Sequence, residues 1–326
     1  MDTTGDRHAR PFPDVAAHVR ASIDRSIDVA PFRELLTRLM AQPGRVLAVE
    51  GVPRWPAFVI ETNRALGGDD AVAAAVAAAV EFAVAAADVV DDLVDDEWSL
   101  GVDERRRVNA SLALSSLAQR CVHELVESAG PVRARRINEL LLGGCLAACA
   151  GEDLDLVLET CGEVSEELAH EVTRRKSGSI VAVAFQVGAA AAVDDEDLLA
   201  KMGDFGCHVG LVAQLLNDML DIAPDGRGSD LRRGKKTLPV AYLLRCVRED
   251  GLVLPFTAGD PARTPEEEEQ RARLIGELGG LDYTWVVAEA HRREALALLP
   301  QMARLTGRKE VFRLRRLVPR MPRPLR

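Results

Sequence analysis

The stretch AVAAAVAAAVEFAVAAADVVDDLVDD, residues 71–96, decides how this chain folds. From Ala71 to Ala87 it is alanine and valine apart from Glu81 and Phe82, and it ends in the acids Asp88, Asp91, Asp92, Asp95 and Asp96. Alanine is the strongest helix former, and no glycine or proline interrupts the run. The spacing predicts one long helix, on which Asp91 and Asp95 share a face and Asp92 and Asp96 flank it. Carboxylates this close cannot all stay ionised in a half-buried place without cations. Hard divalent ions that take oxygen ligands, above all Mg²⁺, are the expected counter-charge. The run is long enough to cross a membrane, but Glu81 and the acidic end point instead to a buried core helix.

Outward from this helix the pattern stays helical. Helices are expected over 15–28, 31–41, 55–66, 70–96, 103–128, 131–150, 154–160, 164–193, 196–221, 237–249, 265–278 and 283–303. Breaks are read at Gly67-Gly68, Ala129-Gly130, Pro224-Asp225-Gly226 and Pro255–Pro261. Thr264-Pro265-Glu266 reads as a helix start, with a capping hydroxyl, a first-turn proline and then acids at the positive end of the dipole. No segment alternates with period two and no repeat is evident. The expectation is a flexible tail over 1–13, a single all-α domain over 14–303 and a basic C-terminal segment over 304–326.

The 326 residues are 48% hydrophobic and 28% charged, a globular composition. A net charge of −10 argues against nucleic acid as the main partner. The six cysteines form no CxxC pair and lie in apolar stretches, so reduced thiols are expected, not disulfides or zinc. The N-terminus is polar and lacks an apolar signal core, and a cytoplasmic location is expected.

A second polar set interrupts another apolar helix. In Gln214-Leu215-Leu216-Asn217-Asp218-Met219-Leu220-Asp221, the oxygens of Asn217, Asp218 and Asp221 are read as lying on one face. Two acidic clusters on different helices, opposed across a cavity, would hold several Mg²⁺ ions, and these in turn a polyanion such as a diphosphate. Candidate basic partners are Lys176 in Lys176-Ser177-Gly178, Arg227, and Lys235 in the stretch Asp230-Leu231-Arg232-Arg233-Gly234-Lys235-Lys236-Thr237-Leu238-Pro239.

These residues in this order resemble the trans-isoprenyl diphosphate synthase, or polyprenyl synthetase, family. Asp91-Asp92-x-x-Asp95 is similar to its first aspartate-rich motif. Gln214…Asn217-Asp218-x-x-Asp221…Asp230-Leu231-x-x-Gly234-Lys235-x-Thr237-Leu238-Pro239 is similar to its second. Lys176-Ser177 resembles its Lys-Thr pair, and Gly151-Glu152-Asp153-Leu154-Asp155-Leu156 its Gly-Gln-x-x-Asp-Leu stretch. The resemblance implies the isoprenoid synthase helical bundle around a central cavity, a homodimer, and three Mg²⁺ ions per site. It implies metal binding by Asp91, Asp92, Asp95, Asn217, Asp218 and Asp221, and diphosphate binding by Lys176, Lys235 and Arg227. Asp91, Asp95, Lys176 and Asp218 would be the residues that make ionisation of an allylic diphosphate possible.

The chain departs from the family where the second substrate, isopentenyl diphosphate, should sit. The usual Gly-Lys-Arg reads Gly51-Val52-Pro53-Arg54, which leaves Arg54 as the phosphate ligand. The histidine seven residues before the first motif is Val84, although Glu81 is in place. The Arg-Arg-Gly after that motif is absent, and Arg105-Arg106-Arg107 follow instead, with Arg105 the candidate contact. This shortened form resembles the prenyltransferases that modify a tryptophan in peptide pheromones and the one that acts in moenomycin assembly. Asn217 brings a ligating oxygen without charge.

Behind Asp91, the residues Ala87, Val84, Ala83 and Val80 follow one face, with Gln214 also assigned to the prenyl pocket. None is aromatic, and about eleven residues at about 1.5 Å each leave about 16 Å for a tail of three or four isoprene units. The expected activity is therefore C15–C20 (farnesyl or geranylgeranyl) diphosphate synthesis. The alternatives are prenyl transfer to another acceptor, a class I terpene cyclase, or a non-catalytic partner subunit. A cyclase would need aromatic faces for migrating cations, and this chain has 3 Trp, 2 Tyr and 8 Phe. His170 and His208 are read as structural. The C-terminal arginines are read as a solvated tail, with capping of the active site or contact with an anionic membrane as the alternatives.

Overall fold

The computed structural model describes residues 12–49, 51, 53–94, 101–222, 230–251 and 260–322. Asp95, Asp96 and Arg227 lie outside them. Every regular element among the described residues is helical. In chain order these are α1 (Pro13–Ser26), α2 (Ala30–Leu39), α3 (Arg54–Leu66), α4 (Asp70–Val94), α5 (Glu104–Ala129), α6 (Pro131–Glu159), α7 (Glu166–Thr173), a π-helical turn (Arg174–Gly178), α8 (Ser179–Ala190), α9 (Glu196–Ile222), α10 (Asp230–Arg233), α11 (Leu238–Asp250), α12 (Pro265–Glu277), α13 (Gly280–Thr306) and a 3₁₀-helix (Lys309–Leu317). The chain divides into two compact units. One comprises 1–142, 184–200 and 303–314; the other comprises 143–183, 201–302 and 315–326.

In the first unit α4 is the central element, and α1, α3 and α5 pack against it. From Val72 to Ala86 it is buried at every position but one, with Phe82 and Glu81 fully enclosed. This explains the alanine content, since small side chains let neighbouring helices approach on all sides. α4 is apolar and long enough to cross a membrane, yet most of it is buried inside the protein, as expected of a core helix. Where α5 crosses, Ser111 Oγ donates to the carbonyl of Ala86 at 2.9 Å.

In the second unit Met219, Ile222, Leu231, Val240, Leu243 and Ile275 form a core that fixes the end of α9 against α10, α11 and α12. Side-chain caps close three helix N-termini, the expected one at Thr264 among them. Asp103 accepts from the Arg105 amide at 3.0 Å, Ser165 from Leu168 at 3.2 Å, and Thr264 from Glu267 at 3.2 Å. All six cysteines are unpaired thiols.

Three elements differ from the sequence expectation. α6 runs unbroken through Gly151, where a break was expected, because that glycine is a packing site. The helix expected over 164–193 is divided into α7, the π turn and α8. The basic C-terminal segment contains a 3₁₀-helix with Val311 and Leu314 fully buried.

Candidate functional site

The acids of the first unit sit on the last turns of α4, with Asp91 and Asp92 half-buried and Asp88 exposed. Arg45, itself buried, forms an ion pair with Asp88 and lies 3.8 Å from Glu81 Oε2. Burial pushes the Glu81 carboxyl up to about 7, opposed by the Arg45 charge and the Val46 amide. Arg45 thus fastens the segment before α3 to the acid-bearing helix. Sequence reading missed it because nothing local marks an arginine that pairs with acids 36 and 43 positions away.

Of the residues expected to face a prenyl tail, Val80, Ala83 and Val84 are buried and Ala87 is exposed. Arg54 and Arg105 are both exposed.

The second unit carries the denser constellation. The π turn inserts one residue between α7 and α8, and Lys176 and Ser177 lie within it. Such insertions recur at functional sites because they turn side chains out of helical register. Lys176 Nζ lies 2.6 Å from Glu152 and 3.4 Å from Asp155, both on α6. Ser177 Oγ donates to Gln214 Oε1 at 2.8 Å, and Gln214 Nε2 donates to Asp218 Oδ1 at 2.8 Å. Lys235 Nζ lies 3.9 Å from the buried Asp230.

Two glycines permit this approach. A Cβ on Gly151 would fall 2.5 Å from the Lys176 amide nitrogen, and one on Gly210 would fall 2.8 Å from the Ser177 carbonyl. Lys236, which sequence reading left unassigned, is buried and structural. Its ammonium donates to the carbonyls of Glu159 and Gly234.

The expected common face of Asn217, Asp218 and Asp221 is corrected. Asn217 is exposed, Asp221 is half-buried, and Asp218 is 2% exposed. A one-residue step on a helix turns the side chain by about 100°, so Asp218 joins Gln214 on the inner face. Gln214 is accordingly a hydrogen-bonding link. Burial pushes the Asp218 carboxyl up to about 8, against the Gln214 hydrogen bond and with the charges of Asp230, Asp155 and Asp221 adding to the rise.

Glu152, Asp155, Asp218, Asp221 and Asp230 together outnumber Lys176 and Lys235. The set consists of hard oxygen donors with excess negative charge, which fits Mg²⁺. Among the described residues no three acid, histidine or cysteine side chains converge on one metal position. Mg²⁺ is commonly held by one or two carboxylates, water and substrate phosphate, and needs no closed protein cage.

A second cluster in this unit involves the histidines. His170 Nε2 lies 2.8 Å from His291 Nε2, and His208 Nδ1 lies 2.9 Å from His291 Nδ1. The chain therefore ties α7, α9 and α13 through neutral imidazoles, each contact needing one N–H. Burial, then the neighbouring imidazoles, push His291 down to about 4; burial also lowers His170 and His208. Glu171, Arg174, Asp204 and Glu294 are the charged groups nearby. A base whose folded pKa is depressed stabilises the fold above its unfolded value of 6.5, and this stability is lost as pH falls towards about 4. The melting temperature should fall across that window by the equivalent of about 1–3 kcal/mol. His291→Gln should flatten the dependence; equal slopes for both proteins would show that the cluster does not titrate as described.

Comparisons with known proteins place the chain in a family. The family model "Polyprenyl synthetase" matches residues 39–273, and the chain belongs to that family. The polyprenyl synthetase of Streptomyces coelicolor A3(2) is 26% identical, with a TM-score of 0.75 over 94% of this chain and 96% of that one. The polyprenyl synthase of Caulobacter crescentus CB15, whose crystal structure holds calcium and isoprenyl diphosphate, is 25% identical, with a TM-score of 0.76 over 95% of each chain. The geranylgeranyl diphosphate synthase of Methanosarcina mazei is 31% identical over 170 residues, 50% of this chain and 51% of that protein. The chain thus matches about half the length of that curated relative.

Proposed function

We propose that this protein is a Mg²⁺-dependent prenyltransferase that ionises an allylic diphosphate and joins the prenyl cation to isopentenyl diphosphate, giving C15–C20 prenyl diphosphates. The observation that carries this reading is the constellation at the π turn. There Lys176 meets Glu152 and Asp155 beside the Ser177–Gln214–Asp218 chain. The family membership and the geranylgeranyl diphosphate synthases among its relatives support it.

Lys176 and Lys235 take the diphosphate oxygens, Lys176 exchanging its carboxylate partners for phosphate. Asp91, Asp92 and Asp95 in one unit, and Asn217, Asp218 and Asp221 in the other, would each offer oxygens to Mg²⁺. Bound Mg²⁺ supplies positive charge for the leaving pyrophosphate. As the C1–O bond breaks, its electron pair leaves with pyrophosphate. The π electrons of the acceptor's double bond form the new C–C bond, and a proton is lost from the acceptor carbon next to it. Arg227, Arg105 and Arg54 complete the phosphate contacts. Val80, Ala83, Val84 and Ala87 flank the prenyl tail. Leu112 and Leu146, 65% and 69% exposed, are surfaces that a second copy would cover in a homodimer. The enzyme acts in the cytoplasm.

A different acceptor is the second reading. It is favoured by one observation: Arg45 is engaged by Glu81 and Asp88, and the stretch Gly51-Val52-Pro53-Arg54 offers a single cation, the exposed Arg54.

Incubation with Mg²⁺ and dimethylallyl, geranyl, farnesyl or geranylgeranyl diphosphate separates these readings, each with and without isopentenyl diphosphate. Longer diphosphates, formed only with isopentenyl diphosphate and abolished by EDTA, are expected. Pyrophosphate release that requires another nucleophile supports the second reading. Hydrocarbons formed without any acceptor would identify a cyclase, and no turnover with any donor would sink both readings.

A further inference from the structure

We propose that the 3₁₀-helix Lys309–Leu317 is a docking ridge for an anionic lipid surface. The chain as a whole carries a net charge of −10, yet residues 304–326 hold nine Lys/Arg and a single acid, Glu310. Such a segment would be a solvated tail if it were loose, but the described part, 304–322, is fixed. A 3₁₀-helix repeats every three residues. Val311 and Leu314 form its inner stripe, both fully buried, with Leu317 continuing it half-buried. Beyond the helix, Val318 is buried, Met321 packs against Leu215, Leu238 and Ala288, and Trp285 Nε1 donates to the Pro322 carbonyl at 3.1 Å.

With one stripe anchored, the two remaining stripes face outward. One is Lys309, Phe312 and Arg315; the other is Glu310, Arg313 and Arg316, and all six are exposed. Phe312 is 41% exposed, an apolar ring set between two cations of its own stripe. The exposed part of the ring is apolar surface left to solvent. At a bilayer surface, however, an aromatic ring enters the headgroup boundary while flanking basic residues meet anionic lipid. Charge alone would fit any polyanion; the central phenylalanine selects a surface with an apolar interior.

This inference does not depend on the proposed chemistry, because its test reads binding and not turnover. The full chain is sedimented with phosphatidylcholine vesicles with or without 30 mol% phosphatidylglycerol, at low and at physiological salt. Binding is expected only with phosphatidylglycerol and should weaken with salt. Arg313→Glu with Arg315→Glu should reduce it at least tenfold, since each basic residue near such a surface contributes about fivefold. Phe312→Ser should reduce it severalfold without changing net charge. Circular dichroism of each variant establishes that it is folded. Binding that is indifferent to phosphatidylglycerol, or unchanged in the double variant, overturns the proposal. So does retention on polyuridylate tighter than on the vesicles together with no effect of Phe312→Ser, which would make the ridge a general polyanion surface.

Discussion

Asp218→Asn is expected to melt at a higher temperature than the parent protein and to turn over about a hundredfold to a thousandfold more slowly. The two effects share one cause. Asp218 is almost fully buried, and its carboxyl is pushed up to about 8 from an ordinary 3.8. Between those values the folded protein holds a proton that the unfolded chain releases, so stability falls as pH rises. Asparagine keeps the shape and the acceptor for Gln214 Nε2 but has no charge to bury. The variant should therefore gain about 1–3 kcal/mol at pH 8, and the gain should vanish below about pH 4. Catalysis moves the other way, because Mg²⁺ and diphosphate compensate the buried charge only when there is a charge to compensate. Differential scanning fluorimetry across pH, with and without Mg²⁺ and inorganic pyrophosphate, checks both parts. The ligands should raise the melting temperature of the parent protein and much less that of the variant. A variant that is both less stable and fully active would remove Asp218 from the proposed site.

Gly151→Ala is expected to lose about 3 kcal/mol of stability and about a hundredfold in turnover. The added methyl group would meet the Lys176 amide nitrogen at 2.5 Å and the Arg175 carbonyl carbon at 2.8 Å. These are backbone atoms of the π turn, so no side-chain rotation relieves the contact. α6 and the turn must separate, and Lys176 and Ser177 move with the turn. Gly143 supplies the control on the same helix, since a Cβ there meets nothing within 4 Å. Gly143→Ala should be neutral or stabilising by up to about 1 kcal/mol, through helix propensity alone. Thermal melts and steady-state kinetics of the two variants separate packing from propensity; similar behaviour of both would refute the close-packing role of Gly151.

The legible parts of this molecule are those fixed by local chemistry. The alanine run, the acids at its end, the cap at Thr264 and the second polar helix all carry their signal within a few turns, and the helix boundaries fall within a few residues of the observed ones. The candidate residues were equally visible, because charges in an apolar helix contrast with their neighbours. What stayed hidden has non-local or off-period causes. Gly151 looks like a helix breaker in one dimension, whereas its role is set by a helix 25 positions further on. The 3₁₀-helix escapes a search for period 3.6 because its stripe repeats at three. His170, His208 and His291 come from three helices, and no pattern in any one of them announces the meeting. Asp218 was read on one face with Asn217 and Asp221 because the sequence shows where polar residues cluster but not which of them the fold buries.

The π turn at Arg174–Gly178 also has a meaning for heredity. One residue added to a helix rotates everything after it by about 100°. An insertion of this kind survives only if later residues are already suited to the rotated register, or become so together. Residues 174–178 therefore form an indivisible cassette. Recombination between this gene and a relative's should be better tolerated on either side of the cassette than within it, because a crossover that adds or removes a residue there changes the facing of all of α8 at a stroke.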